Sequence, residues 1–246
     1  MPTQTHAYAW SIVDAMRSAG LDVHLLSTAP VSNWPQGHPL VWHGRGFSVD
    51  EVEGVQLGFV NLVGVKHLTR FCSCLTAGIR ALRRWRPSLL VVHGVHSPFL
   101  WFAVVARHLV GIPAVAILTD PPGVVLPNDG SLVRRLKSLD KAVVLGALRS
   151  FDGVVALTEG LARDFAPDAP VLVMDGILRD EPRAEQPSEA PLADPDGFTV
   201  LYAGGLSEAY WVGILLRAMR LVRSGARLRL LGRGEHDVVG AVRIGR

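Results

Sequence analysis

The sequence predicts an α/β fold built on a doubly wound parallel sheet, and residues 88–123 show this most clearly. Two short apolar runs, at residues 89–92 and 114–118, are typical of strands that are buried on both faces of a parallel sheet. Between them, residues 99–109 have the composition of a mostly apolar helix that ends near Gly111. This strand, helix, strand order indicates neighbouring parallel strands.

The loops that follow these two strands carry the first candidate site residues. His93 and His96 follow the first strand, and Asp120 follows the second, within the sequence TDPPG. Because open parallel sheets bind ligands beside the carboxyl ends of their strands, we expect a site at these loops.

The other elements follow in order. Further helices are predicted at residues 5–19, 65–85, 131–150 and 208–223, with a short one ending at 165, and further strands at 21–27, 55–60, 154–157, 171–174, 198–203 and 226–231. Residues 28–56 are rich in Gly and Pro and are predicted to be mainly loop. A doubly wound domain normally begins with a strand and a glycine-rich turn, so we expect the first strand to be missing from this chain.

A polar, proline-rich stretch at residues 178–197 is a predicted linker. It separates a Rossmann-like domain at residues 1–177 from a second unit at residues 198–246. One βαβ unit of that length is too small to bury its own core, so we expect it to pack on the first domain or to be cut short.

Composition narrows the class of protein. A hydrophobic content of 49% with 19% charged residues indicates a globular chain. No signal-peptide pattern is present, and no stretch has the roughly 20 apolar residues that span a bilayer. Cys72 and Cys74 stand two residues apart on a predicted helix and point away from each other, which argues against a disulfide or a metal site and favours a reduced, cytoplasmic setting.

Basic residues concentrate in two predicted helices: Arg80, Arg83, Arg84 and Arg86 near the end of residues 65–85, and Arg134, Arg135, Lys137 and Lys141 within residues 131–150. Cations at a helix carboxyl end complement the helix dipole, and other charges face solvent. The same pattern suits an anionic membrane surface, and both interpretations stay open. No basic stripe interleaved with aromatic residues indicates nucleic acid.

An ordered series of segments resembles glycosyltransferase family 4. The segments are GLDVHLLS at 20–27, PSLLVVHGVH at 87–96, TDPPG at 119–123, FDGVVALTE at 151–159, FTVLYAGGL at 198–206, GILLRAM at 213–219 and LRLLGRGE at 228–235. Their order and spacing, rather than any single motif, carry the resemblance, which covers nearly the whole chain.

The resemblance implies the GT-B fold, in which two Rossmann-like domains face each other across a cleft. It implies sugar transfer with retention at the anomeric carbon, without a metal or a cofactor, because the nucleotide-sugar is a co-substrate. The implied partners are a nucleotide-sugar donor and a glycan or lipid-linked acceptor. The implied location is the cytoplasm, with the inner face of the membrane as a further partner.

The resemblance also assigns roles to the residues at the first strand ends. Asp120 stands where relatives carry a polar residue that faces the sugar, and a carboxylate there holds a hydroxyl or accepts its proton. The alternative is that Asp120 caps a turn with the two prolines that follow it. His93 is the second predicted catalytic residue, with a buried structural histidine as the alternative, and His96 is a predicted substrate-binding residue.

Four glycines and one further strand end complete the predicted substrate-binding set. Thr158 and Glu159 follow the third strand, where an N-cap with an acidic first turn is the alternative. Gly204 and Gly205 let backbone amides approach the donor phosphates, and Gly232 and Gly234 pass beside the nucleotide base. No metal ligands are predicted, because His93 and His96 have no third candidate nearby in sequence.

The sequence also departs from the family pattern. No Lys or Arg lies at residues 206–212, where relatives often hold the diphosphate, and a pair of glutamates that binds the donor is not reached. We therefore keep a second hypothesis, a catalytically inactive truncated relative that binds a glycan or a partner protein. An NAD-linked reductase would need a third glycine where Asp237 stands.

Overall fold

The structure, a computed structural model, describes residues 4–125, 129–177, 198–206, 210–223 and 226–232. These residues belong to two compact units: residues 4–125 and 130–177 form the first, and Asp129 and the residues from 198 onward belong to the second. The predicted linker at residues 178–197 lies outside the described residues. In the described part of the chain, no helix has both the length and the apolar composition needed to cross a membrane.

The first unit contains six α-helices and nine strands among its described residues. The helices are α1 (Gln4–Ser18), α2 (Val65–Ser73), α3 (Ile79–Trp85), α4 (Ser97–Val110), α5 (Ser131–Leu148) and α6 (Glu159–Phe165). The strands are β1 (Leu25–Ser27), β2 (Val41–Trp42), β3 (Arg45–Val49), β4 (Val52–Gln56), β5 (Phe59–Val60), β6 (Leu90–His93), β7 (Ala114–Leu118), β8 (Gly153–Ala156) and β9 (Val171–Val173).

The main sheet has the order β6-β7-β8-β9, and all its neighbouring strands are parallel. The apolar run of β7 lies inside this sheet and is almost wholly buried, as its sequence predicts. Helix α4 covers it with Leu100 and Ala103, while α5 adds Val144 and Ala147 to the same core. The α/β, Rossmann-like fold class is therefore confirmed.

The prediction that residues 28–56 are mainly loop is wrong, because strands β2, β3 and β4 lie within them. Strands β3 and β4 form an antiparallel hairpin whose turn residues, Asp50 and Glu51, have positive φ angles of 49° and 65°. Strand β3 lies at the edge with four of its five residues exposed, so its sequence lacks the apolar alternation that predicts strands.

Strand β1 pairs with β4, in a sheet separate from β6–β9. The sequence predicts a single doubly wound sheet. In the structure β1 and β6 belong to different sheets, and no described strand pairs with both of them. The two sheets still share a core: Leu26 of β1 and Leu90 of β6 pack on the same cluster, together with buried Cys74 and Phe102.

The helix predicted at residues 65–85 spans the expected range but contains a π-helical turn, Cys74–Gly78, between α2 and α3. Cys72 is exposed and Cys74 is buried, so the two thiols lie on opposite sides of the helix and remain free. Burial raises the pKa of the Cys74 thiol to about 12, so this cysteine stays protonated.

The described part of the second unit is one βαβ arrangement. Strands β10 (Thr199–Ala203) and β11 (Arg227–Leu231) are parallel, with Val200 opposite Leu228. Helix α7 (Val212–Met219) is shorter than the predicted helix at residues 208–223, part of which lies outside the described residues.

Candidate functional site

Three strand ends of the main sheet meet at one edge, because β6, β7 and β8 are parallel. His93 is the last residue of β6, Asp120 lies two residues beyond β7, and Thr158 lies two residues beyond β8. Two backbone hydrogen bonds extend the sheet to this edge, from the Gly94 amide to the Ile117 carbonyl (3.0 Å) and from the Leu157 amide to the Leu118 carbonyl (3.2 Å).

His93 lies against helix α1. Its ring centroid is 5.7 Å from that of Tyr8, and neither the His93 Nε2 atom nor the Tyr8 hydroxyl, both buried, has a hydrogen-bond partner in the described protein. Burial lowers the pKa of the His93 imidazole, and the Asp120 carboxylate only partly opposes this. His93 is therefore a neutral imidazole at pH 7. Sequence reasoning missed Tyr8, which lies 85 positions earlier in the chain.

Asp120 is exposed at the end of β7. Its carboxylate accepts a hydrogen bond from the Thr119 hydroxyl at 2.9 Å. This hydrogen bond occupies only one acceptor position of the Asp120 carboxylate, so the exposed carboxylate can accept further hydrogen bonds at the sheet edge.

Thr158 has the structural role that the sequence offered as the alternative. Its Oγ1 atom accepts a hydrogen bond from the Leu161 amide at 3.1 Å and so caps helix α6. Glu159 lies exposed in the first turn. An open pocket of about 430 Å³ adjoins this cap and is lined by Thr119, Pro121, Leu157, Thr158, Gly160 and Phe165, among others.

His96 is the N-cap residue of helix α4, and it is exposed. The surrounding protein displaces water and lowers the pKa of its imidazole, and Arg70 and His67 lower it further. His67 Nδ1 lies 3.5 Å from the Ser97 hydroxyl. No sequence pattern points to Arg70 or His67, because they lie on α2 and reach this edge only through tertiary packing.

The histidines at this edge are not part of a metal-ligand cluster. Among the described residues, no three His, Cys, Asp or Glu side chains are grouped closely enough to hold a metal ion. Each neutral imidazole offers one hydrogen-bond donor and one acceptor to a ligand.

The glycines of the second unit are closely packed. A Cβ atom at Gly232 would collide with the Gly204 carbonyl oxygen, and the Gly204 amide donates to the Leu231 carbonyl at 2.9 Å. The Tyr202 hydroxyl donates to the Gly205 carbonyl at 3.0 Å. Packing inside the unit thus explains Gly204 and Gly232 without a ligand. Gly234 lies outside the described residues.

The first unit is thus a Rossmann-like domain with polar side chains along the carboxyl edge of its sheet. The family model described as Glycosyl transferase 4-like domain matches residues 5–173, which is more than half of the chain. The chain belongs to this family, so the resemblance to glycosyltransferase family 4 is confirmed at that level. No curated protein gives a significant match to the sequence.

Proposed function

We propose that this protein transfers a sugar from a nucleotide-sugar to a glycan or lipid-linked acceptor, with retention at the anomeric carbon and without a cofactor or a metal. Family membership supports a transferase with a donor and an acceptor. The observation that carries the proposal is the placement of His93 and Asp120 at the carboxyl ends of the adjacent parallel strands β6 and β7 of the matched domain.

In this proposal the acceptor binds at the carboxyl edge of the first unit. Its hydroxyl oxygen forms a bond to the anomeric carbon on the face from which the diphosphate departs, so the configuration is retained. The bond from that carbon to the diphosphate breaks with its electron pair leaving on the phosphate. The exposed Asp120 carboxylate takes up the hydroxyl proton. His93, whose Nε2 atom is buried, positions the loop after β6, and the exposed residues His96, Thr158 and Glu159 line the acceptor side.

The second unit is proposed to hold the donor. Gly204 and Gly205 follow β10, where backbone amides without side chains would approach the phosphates, and Gly232 follows β11. The resemblance assigns Gly232 and Gly234 to the nucleotide base, and Gly234 lies outside the described residues. The ends of β10 and β11 lie together through the contact of Gly232 with Gly204, so one ligand could meet both strand ends.

We further propose that the protein works in the cytoplasm at the inner face of the membrane. Support comes from helix α5, where Leu132, Leu136 and Leu139 are exposed on a helix that also carries Arg135. Apolar residues beside cations are typical of helices that lie on anionic membrane surfaces.

The test is release of nucleoside diphosphate from a panel of nucleotide-sugars when the full chain is given glycan and lipid-linked acceptors. Asp120→Asn should lower the rate by about 10²-fold or more, since a general base contributes on that order. The matched control is Asp168→Asn, at an exposed aspartate in the loop before β9, which should keep the wild-type rate. Equal rates in the two variants would remove Asp120 from the mechanism.

A catalytically inactive relative that binds a glycan or a partner protein is the second candidate. The absence of a Lys or Arg at residues 206–212 favours it, because the diphosphate then lacks a nearby cation. Glycan binding without release of diphosphate from any donor would support this candidate.

A further inference from the structure

Helix α2 carries two buried cations one turn apart. Lys66 and Arg70 are each only 7% exposed. Lys66 donates to the Val31 carbonyl, and Arg70 NH2 donates to the Ala29 carbonyl at 2.8 Å. Both cations also lie near the ring of Phe59, with the Arg70 guanidinium carbon 4.3 Å from its centroid.

These two charges have no counter-ion in the described protein. No described carboxylate lies within 4.0 Å of Lys66 or Arg70, whose partners are carbonyl oxygens and the Asn33 side chain. The Arg70 Nε atom is buried and has no hydrogen-bond partner among the described residues. Buried charges are normally paired, so two buried cations without a carboxylate partner among the described residues favour a bound anion.

The surface next to these cations carries hydrogen-bonding groups that are accessible. His67 and His96 are exposed, and the hydroxyl of Ser97, a residue only 7% exposed, lies behind them at 3.5 Å from His67 Nδ1. Arg70 lowers the pKa of both imidazoles, and among the described residues Asp140 of α5 is the one acidic group that raises either of them. His67 stands on α2 between Lys66 and Arg70, so this surface adjoins the two cations.

We propose that His67, His96 and Ser97, backed by the unpaired charges of Lys66 and Arg70, form a binding site for a phosphate group. The source of the phosphate rests on the proposed sugar transfer, in which it belongs to the acceptor. His96 stands three residues after His93, at the sheet edge where the acceptor hydroxyl is proposed to bind. The acceptor is therefore a phosphorylated sugar or a phospholipid, which share this headgroup chemistry.

The first experiment measures the melting temperature of the full chain in inorganic phosphate and in sodium chloride of equal ionic strength. Phosphate stabilises folded proteins more than chloride does by exclusion from their surface, so site binding is measured as the part of the stabilisation that a site variant loses and a control variant keeps. Arg70→Gln should weaken phosphate binding about tenfold or more, because it removes one of the two positive charges behind the site. Arg84→Gln removes an exposed arginine that pairs with Glu53 and should leave phosphate binding unchanged.

Two further variants keep the test valid if Arg70→Gln does not fold. Arg70→Lys retains the positive charge and should retain phosphate binding, while His96→Gln should weaken it and leaves the buried cations in place. The proposal is overturned if phosphate stabilises no more than chloride, or if His96→Gln and Arg84→Gln respond alike.

Glucose 1-phosphate and phosphatidylglycerol vesicles separate the two sources of the phosphate. Selective stabilisation by glucose 1-phosphate indicates a soluble acceptor. Vesicle binding that Arg70→Gln abolishes indicates a lipid, whose chains would meet exposed Val63 and Leu68. A response to neither ligand overturns the site. Phosphate binding without sugar transfer would support this site and contradict the proposed function. Sugar transfer to neutral acceptors without any effect of phosphate would support the proposed function and overturn the site.

Discussion

Arg107 and Asp152 form a two-point ion pair, in which Nε and NH2 of Arg107 donate to the two carboxylate oxygens of Asp152 at 2.8 and 2.7 Å. The amide of Ala114 donates to the same carboxylate at 2.9 Å. One side chain thus joins the end of α4, the start of β7 and the turn before β8. These hydrogen bonds lower the pKa of Asp152 from 3.8 to about 2.

The first prediction concerns acid stability. Because the folded pKa of Asp152 lies below its unfolded value, the folded state binds fewer protons between pH 4 and pH 2. The stabilisation is therefore fully present above about pH 4 and is lost as the pH falls toward 2. Asp152→Asn should lower the melting temperature at pH 7 and flatten the acid limb of stability against pH. An acid limb as steep as that of the wild type would contradict this prediction, and Asp168→Asn serves as the control.

The second prediction uses two helical glycines in different surroundings. A Cβ atom at Gly78, in the π-helical turn, would lie 2.9 Å from Phe102 and 3.2 Å from Leu26, so Gly78→Ala should destabilise by about 1–3 kcal/mol. At Gly146 in α5 the nearest atom is 3.7 Å away, in ordinary contact, so Gly146→Ala should stabilise by up to about 1 kcal/mol. Urea unfolding measures both, and a Gly78→Ala variant as stable as the wild type would show that packing at Gly78 is loose.

The third prediction separates the capping role of Thr158 from its proposed role in binding. Thr158→Ala should cost about 1 kcal/mol, because the Leu161 amide loses its acceptor, while Thr158→Ser keeps the hydroxyl and most of the stability. If Thr158 also binds substrate, Thr158→Ala raises KM at a temperature where the variant is fully folded. An unchanged KM in Thr158→Ala would leave capping as its role.

Local sequence patterns predicted an element correctly where a few consecutive residues determine its structure. The apolar run of β7 and the cap at Thr158 were predictable, because burial on both faces and capping chemistry are written in a few consecutive residues. The hairpin of β3 and β4 was not predictable, since an exposed edge strand lacks the apolar period that marks strands.

The candidate site was predictable only in part for the same physical reason. His93, His96 and Asp120 follow strands, so the parallel sheet rule places them at one edge. Tyr8, His67 and Arg70 reach that edge from helices whose packing depends on the whole domain, and no spacing in the sequence joins them. Their placement came from the tertiary structure.

The last prediction concerns pH near neutrality. Burial lowers the pKa of His93, so the unfolded chain takes up a proton at a higher pH than the folded protein does. Stability is therefore greatest above pH 6.5, decreases as the pH falls through 6.5, and stops decreasing once the pH is below the folded pKa. His93→Gln should reduce this decrease when unfolding is measured from about pH 7.5 to about pH 5, whereas His108→Gln, at an exposed position on α4, should not. A slope that is equal in the two variants would mean that the His93 imidazole is already hydrated in the folded protein.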